Sequence, residues 1–186
     1  MRKLIYSMGV SLDGYIAGPG GEIDWTEPDE ELHRFHNARV LELDAHLMGR
    51  RLYEAMLYWE TAEEDDSAHG EFARIWKPLP KIVFSTTLER VEGNARLATD
   101  GVAEEVARLK DEPGKDLGVG GAELAATCAR LDLIDEYQLF VYPVAIGAGR
   151  PFFPPLEERL GFELVDTRTF GSRVVFLHYR RSSAAA

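Results

Sequence analysis

The stretch Lys115–Pro143 reads KDLGVGGAELAATCARLDLIDEYQLFVYP. A short apolar lead, Asp116 to Val119, runs into Gly120 and Gly121. A helix-type segment follows from about Ala122 to Leu131, and a second strand-type run spans about Ile134 to Tyr142. The pattern is βαβ, with two glycines at the first strand-to-helix turn. Such a turn can bring backbone close to a ligand and present N–H groups at a helix start. Two adjacent glycines also make a plain tight turn, and from this stretch alone both readings stand. No Lys-Ser or Lys-Thr follows the glycines, which excludes a Walker loop, and the spacing is not the full dinucleotide fingerprint.

Upstream, the same punctuation recurs at strand ends. Lys81 to Phe84 reads as a strand running into Ser85-Thr86-Thr87, whose hydroxyls can donate to a phosphate or cap the next turn. Ala45 to Met48 reads as a strand that meets Gly49-Arg50-Arg51, after which Leu52 to Trp59 reads as a helix. Two cations at a helix N-terminus sit at the unfavourable end of the dipole. An anion bridging the helix N–H groups and the guanidinium forks would explain them; so would solvent-facing arginines paired with Glu54 or nearby acids. A short strand at Arg96 to Ala98 and a helix at Val102 to Lys110 complete the middle. In open α/β sheets ligands bind beyond the carboxyl ends of the strands.

The chain opens with a strand, Lys3 to Val10, followed by Ser11-Leu12-Asp13-Gly14-Tyr15-Ile16-Ala17-Gly18. Asp13-Gly14 predicts a turn, and the glycine-rich loop after it could cover a bound ligand. Thr26 is expected to cap the first helix, with Pro28 in its first turn and its end near Leu43. Glu30 and Glu31 suit the N-terminal dipole end. His33 and His36 are three apart and His46 comes later, but no further ligands converge, so no metal site is expected. Glu60 to Ser67 predicts a solvated acidic segment and His69 to Trp76 a short helix. Downstream, Phe162 to Phe170 and Arg173 to Tyr179 predict a terminal antiparallel hairpin. Residues 1–180 read as one domain, with 181–186 as a frayed tail.

The 186 residues are 45% hydrophobic, enough for one sizeable α/β core. The formal net charge of -11 argues against nucleic acid or an anionic membrane as partner. One cysteine, Cys128, makes no intrachain disulfide and reads as core filler. No signal peptide pattern and no apolar run of spanning length are visible, so a cytoplasmic protein is expected.

In number, order and spacing these pieces resemble the dihydrofolate reductase-like family. They are most similar to bacterial proteins related to the reductase domain of the bifunctional riboflavin-biosynthesis deaminase-reductase. The resemblance rests on Ser11–Ala17, on Leu47-Met48-Gly49-Arg50-Arg51-Leu52-Tyr53-Glu54, and on Ser85-Thr86-Thr87. It continues through Gly120-Gly121-Ala122-Glu123-Leu124 and through Asp135-Glu136 before the Pro143 to Phe153 segment. It implies an α/β fold with a mostly parallel twisted central sheet, flanking helices and an antiparallel C-terminal hairpin. It implies NADPH as cofactor and hydride transfer to a small planar heterocyclic or carbonyl substrate, in the manner of a 5-amino-6-(5-phosphoribosylamino)uracil reductase. A non-catalytic nucleotide-binding protein, a flavin-binding reductase and a true dihydrofolate reductase are the alternatives.

By the same resemblance Gly9 and Ile16 would line the nicotinamide side. Gly49, Arg50 and Arg51 would hold the adenosine half, with Arg50 nearest the 2'-phosphate. Ser85 and Thr86 would add adenosine-side hydroxyls, and Gly120, Gly121, Ala122, Glu123 and Leu124 would cradle the pyrophosphate. Dihydrofolate reductases carry one acid on the first helix; Glu31 lies in that region only after a spacing adjustment. Glu31 is the candidate for chemistry, with Asp13 as competitor, although Asp13 also suits loop capping. Trp25, Phe35, Tyr58 and Trp59 would wall a planar ring, near Tyr142. The chain lacks the His/Cys/Cys deaminase signature, which implies a free-standing reductase. A homodimer through the terminal strands is expected by the same resemblance.

Overall fold

The computed structural model describes residues 1–156 and 158–182. In chain order the elements are β1 (Leu4–Ser11), β2 (Tyr15–Ala17), α1 (Glu30–Leu41), β3 (Leu43–Gly49), α2 (Arg50–Met56), α3 (Tyr58–Thr61) and α4 (Ala68–Trp76). There follow β4 (Lys81–Phe84), β5 (Ala95–Leu97), α5 (Val102–Asp111), β6 (Asp116–Gly120), α6 (Ala122–Arg130), β7 (Glu136–Tyr142), β8 (Arg150–Pro151), β9 (Phe162–Thr169) and β10 (Val175–Arg181). Among the described residues the main sheet runs β5-β4-β3-β6-β1-β7-β10-β9, and β2 pairs with β8 apart from it. All pairings from β5 across to β7 are parallel; β10 is antiparallel to both β7 and β9.

The quoted βαβ stretch fixes the centre. β6 inserts between β3 and β1, and its crossover through α6 passes β1 to reach β7. The crossover from β1 through α1 runs the other way, past β6 to β3. Right-handed crossovers in opposite directions place their helices on opposite faces of the sheet. Accordingly α1 packs with α4, and α5 with α6. The carboxyl ends of β3, β6 and β1 thereby form the crevice at which the connections diverge.

Residues alternate between the two faces along each strand. Leu4, Tyr6 and Val10 of β1, Leu47 of β3 and Leu117 and Val119 of β6 join one continuous core that includes Ala125 and Cys128 of α6. Each fully buried leucine there contributes roughly 1.5–3 kcal/mol. The α1 face instead carries two separate clusters. Leu32, Phe140, Phe170, Val174 and Phe176 form one; Met48, Tyr53, Phe72, Trp76, Leu79 and Val83 form the other.

Several boundaries differ from the sequence reading. Glu27, held extended at ψ 118° ahead of Pro28, cannot continue a helix from Thr26. Thr26 belongs to a single 3-10 turn, and Asp29 caps α1 by accepting from Leu32 N at 2.8 Å. α1 stops at Leu41, so Leu43 opens β3. The helix expected from Leu52 begins at Arg50, directly after Gly49. The tail expected to fray from Arg181 is held further along: Arg181 N donates to Asp135 O, and Ser182 N to Gly161 O, both at 2.9 Å. The rest of that tail, 183–186, lies outside the described residues.

Candidate functional site

Two neighbouring places gather polar groups or open backbone, and one of them is a cavity. The first is the crevice at the carboxyl ends of β3 and β6. Both strands end in glycine, and both are followed at once by a helix, α2 after Gly49 and α6 after Gly121. Neither helix receives a side-chain cap, so its leading N–H groups are left to a ligand or water. Gly121 has φ +89°, a conformation that favours glycine. A Cβ added at Gly121 would lie 3.8 Å from Gly49 N, in the gap between the two turns. This glycine-lined gap with open helix starts fits a pyrophosphate group of a dinucleotide.

The side chains around the crevice are already engaged with one another. Arg50 bonds Glu54 at 2.7 Å and donates to Thr87 Oγ1 at 2.8 Å; Arg51 reaches across to Glu123 at 3.0 Å. Both arginines thus have the neighbouring-acid partners that the sequence left open. The guanidinium and hydroxyl of Arg50 and Thr87 nevertheless stand together on the exposed rim, as a phosphate would require. Ser85 Oγ accepts from the N–H groups of Thr87 and Leu88, so it caps the turn after β4. Thr86 is exposed beside it, and Ala122 and Leu124 occupy the first turn of α6.

Gly9 lies on β1 where a Cβ would come within 3.1 Å of the Tyr142 ring. Trp25 meets Tyr142 edge-on at 5.8 Å, and Tyr142 donates to Thr26 O at 2.8 Å. This aromatic pair closes the loop over the end of β1. The Ile16 side chain is buried in the core rather than open to the cleft.

Both carboxylates expected to serve chemistry are engaged elsewhere. Glu31 pairs with Arg168 of β9 at 2.6 Å and accepts from Gly171 N at 3.3 Å, tying α1 to the terminal hairpin from an exposed position. Asp13 accepts from Ser11 Oγ at 2.6 Å and from the N–H groups of Ile146 and Gly147. The Ser11 hydrogen bond, helped by those two amides, holds the Asp13 carboxyl below its ordinary range. Two of the aromatic walls also differ from expectation. Phe35 packs edge-on against Phe140, Phe170 and Phe176 in the dry cluster, because its side of α1 faces β7 and β10. Tyr58 is exposed and bonds His69 Nε2 at 3.0 Å.

The second place is a cavity of about 460 Å³ under α1, between the two apolar clusters. Its floor is the α1 face of the strands: Ile5 and Ser7 of β1, His46 of β3, Gly118 of β6, Gln138 of β7 and His178 of β10. Its roof is His33, His36, Arg39 and Val40, and Trp59 stands on its wall. Gly118 is a requirement of this floor. A Cβ there would lie 2.7 Å from His46 Cδ2, and one at Gly120 would lie 2.9 Å from His46 Cε1, so the ring lies over both glycines. Burial drives the His36 imidazole down to about 4, with His33 adding to the depression. Burial likewise takes His46 to about 4, with the Leu47 backbone pulling weakly upward and Lys81 downward. Both rings are therefore neutral at pH 7. Glu136 is bonded by His178 and Lys3, both at 2.8 Å. Burial alone would raise its pKa, but those two partners outweigh burial and hold it near 2.

Of these residues Trp59 alone was singled out as a site candidate from the sequence; His33, His36 and His46 were weighed only as metal ligands, and His178 was not singled out. Among the described residues no group of His, Cys, Asp and Glu could hold a metal ion. The overlooked signal was period-2 polarity. Ser7, Gly9, Gly118, Gly120, Gln138 and His46 fall on alternate positions of strands whose other positions are apolar.

Sheet order, glycine-lined crevice and antiparallel end define a dihydrofolate reductase-like fold. A dihydrofolate reductase from Enterococcus faecalis, complexed with NADP(H), superposes with a TM-score of 0.65 at 15% identity over 97% of each chain. The sequence matches the RibD C-terminal domain over residues 2–176, and the chain belongs to that family. A putative riboflavin biosynthesis protein from Shewanella sp. PV-4 shares the fold with a TM-score of 0.78 and 24% identity, over 98% of this chain and 99% of the other. The uncharacterized protein YyaP of Bacillus subtilis is 36% identical over 96% of this chain and 94% of its own length. No helix among the described residues is long and apolar enough to cross a membrane.

Proposed function

We propose that the protein is an NADPH-dependent reductase that transfers hydride to a small planar heterocyclic or carbonyl substrate, as 5-amino-6-(5-phosphoribosylamino)uracil reductases do. The observation that carries this reading is the pair of uncapped helix starts at Gly49 and Gly121, side by side at the ends of adjacent parallel strands. The backbone at Gly120, Gly121 and Ala122 would hold the pyrophosphate. Arg50 and Thr87 would take the 2'-phosphate, with Glu54 giving up part of its hold on Arg50. Bound there, the cofactor supplies the hydride; the chain supplies position and exclusion of water. Gly9 lets the Tyr142 ring and Thr26 pack closely against β1, where a flat ring would stack beside them. The substrate side is the α1 face of the sheet.

Calorimetry with NADPH and NADH at one fixed ionic strength tests the reading. NADPH is expected to bind at least about tenfold more tightly, since one extra phosphate meets a guanidinium. Equal affinities would remove the role given to Arg50, and no binding of either nucleotide would remove the reductase reading. The outermost strand β9, with Leu164 and Val165 exposed, supports a homodimer through the terminal hairpin, which sedimentation measurements would test.

A further inference from the structure

Buried polar side chains ordinarily find partners. Under α1 the Glu136–His178 pair does, but several neighbouring groups find no protein partner among the described residues. Gln138 is 4% exposed, yet its amide makes no hydrogen bond among the described residues. Arg39 Nε and His46 Nδ1 are buried with no partner in bonding geometry. The Ser7 hydroxyl and the His36 ring likewise make no hydrogen bond. Five polar groups from α1, β1, β3 and β7 therefore border one cavity without engaging each other. A structural polar network is expected to be mutually satisfied, because a half-satisfied one is worse for stability than an apolar core. This one lies between two apolar clusters.

We propose that this cavity is a ligand chamber for an uncharged, hydrogen-bonding molecule or substrate moiety. Its anchors are His36, His46, Gln138 and Ser7, rather than a carboxylate of α1. The proposal rests on the reductase reading only for what the bound molecule is used for. Each of the four anchors both donates and accepts: a neutral imidazole, an amide and a hydroxyl. Such a set matches a ring or chain that carries N–H or O–H beside C=O. A hydrocarbon would leave the anchors unpaired, at the cost of their desolvation. A net charge finds no concentrated counter-charge. Arg39 stands on the α1 side, Glu42 and Asp116 border the same cavity, and Glu136 is already held by Lys3, His178 and Arg180. The volume of about 460 Å³ lies within the range of small-molecule sites.

The test uses 2-pyridone, an uncharged ring with adjacent N–H and C=O, against benzene, on protein with isotope-labelled histidine rings. The probe is present at about 10 mM, above the roughly millimolar Kd so small a ring can reach. 2-Pyridone is expected to shift the ring signals of His36 and His46, and benzene to leave them unchanged. Gln138→Leu is expected to weaken that response at least about fivefold. In the unliganded protein it should leave the melting temperature unlowered, because the amide has no protein partner to lose among the described residues. Ser7→Ala, a smaller change, should weaken the response without lowering the melting temperature, and decides the matter if Gln138→Leu fails to fold. Equal responses to both rings would overturn the proposal. So would no response to either, which marks a merely hydrated cavity, or a lower melting temperature in both variants, which marks a structural network. NADPH affinity is measured on the same samples. Its absence beside an intact 2-pyridone response would sink the reductase reading and leave the chamber standing; the reverse result would do the opposite.

Discussion

The two faces of one sheet are built by different rules. On the α5 and α6 face, Leu4, Tyr6, Leu117 and Val119 meet the helices in an unbroken core, and Cys128 lies wholly within it. Burial pushes the Cys128 thiol up to about 12, which makes it packing material and no nucleophile. On the α1 face the alternate residues of the same strands are Ile5, Ser7, Gly118, Gln138 and His46, and they border a cavity. The comparison teaches that one face is packed without a break, while the other interrupts its apolar clusters with polar groups around a cavity. Sites that need unpaired groups draw on stability supplied elsewhere.

The largest effect should come from the dry face. Leu117→Ala is expected to lose about 2–5 kcal/mol, read from the urea midpoint, because a fully buried side chain leaves a cavity. Its contrast is Gln138→Leu on β7, which should cost little stability because the amide holds no protein partner among the described residues; if both changes destabilise alike, the two faces do not differ in this way.

Acid should act next, and on the α1 face. His36 and His46 have folded pKa values near 4, below the ordinary value of 6.5, so the unfolded chain binds more protons between those limits. Stability should be full above about pH 6.5 and fall as pH drops towards 4, by up to about 3 kcal/mol per histidine. Glu136, held near 2 against an ordinary 4.5, should continue the loss below pH 4.5. Denaturation midpoints from pH 7 to 4 would show the slope, and His46→Leu should flatten it; an unchanged slope in that variant would locate the effect elsewhere.

At the crevice, Gly121→Ala should weaken NADPH binding about tenfold, since a Cβ at φ +89° costs about 1–2 kcal/mol and biases the turn away from the conformation that presents its N–H groups. Calorimetry reads this directly, and unaltered affinity would free Gly121 of the pyrophosphate. The smallest effect is expected at Glu31→Gln. An exposed pair with Arg168 contributes under about 1 kcal/mol, and turnover should stay within about twofold. A large fall in turnover would return this carboxylate to the chemistry that its present geometry denies it.

The sequence by itself determined the βαβ centre, the mainly parallel sheet and the antiparallel end. The centre and the terminal hairpin follow from local periodicity and turn residues, which a chain carries wherever it folds; the mainly parallel sheet follows from the resemblance to the dihydrofolate reductase-like family. The same resemblance assigned Gly49, Arg50, Gly120 and Gly121 to one cofactor, and the structure brings Gly49 and Gly121 together because adjacent parallel strands deliver their carboxyl ends to the same edge of a sheet. Only the tertiary structure decided which acids were free. Glu31 meets Arg168 and Asp13 meets Gly147 across more than a hundred residues of chain, a separation no local pattern records. The same holds for the cavity. Ser7, His36, His46, Gly118 and Gln138 are unremarkable singly, and become a site because α1 folds back over the strands that carry the others.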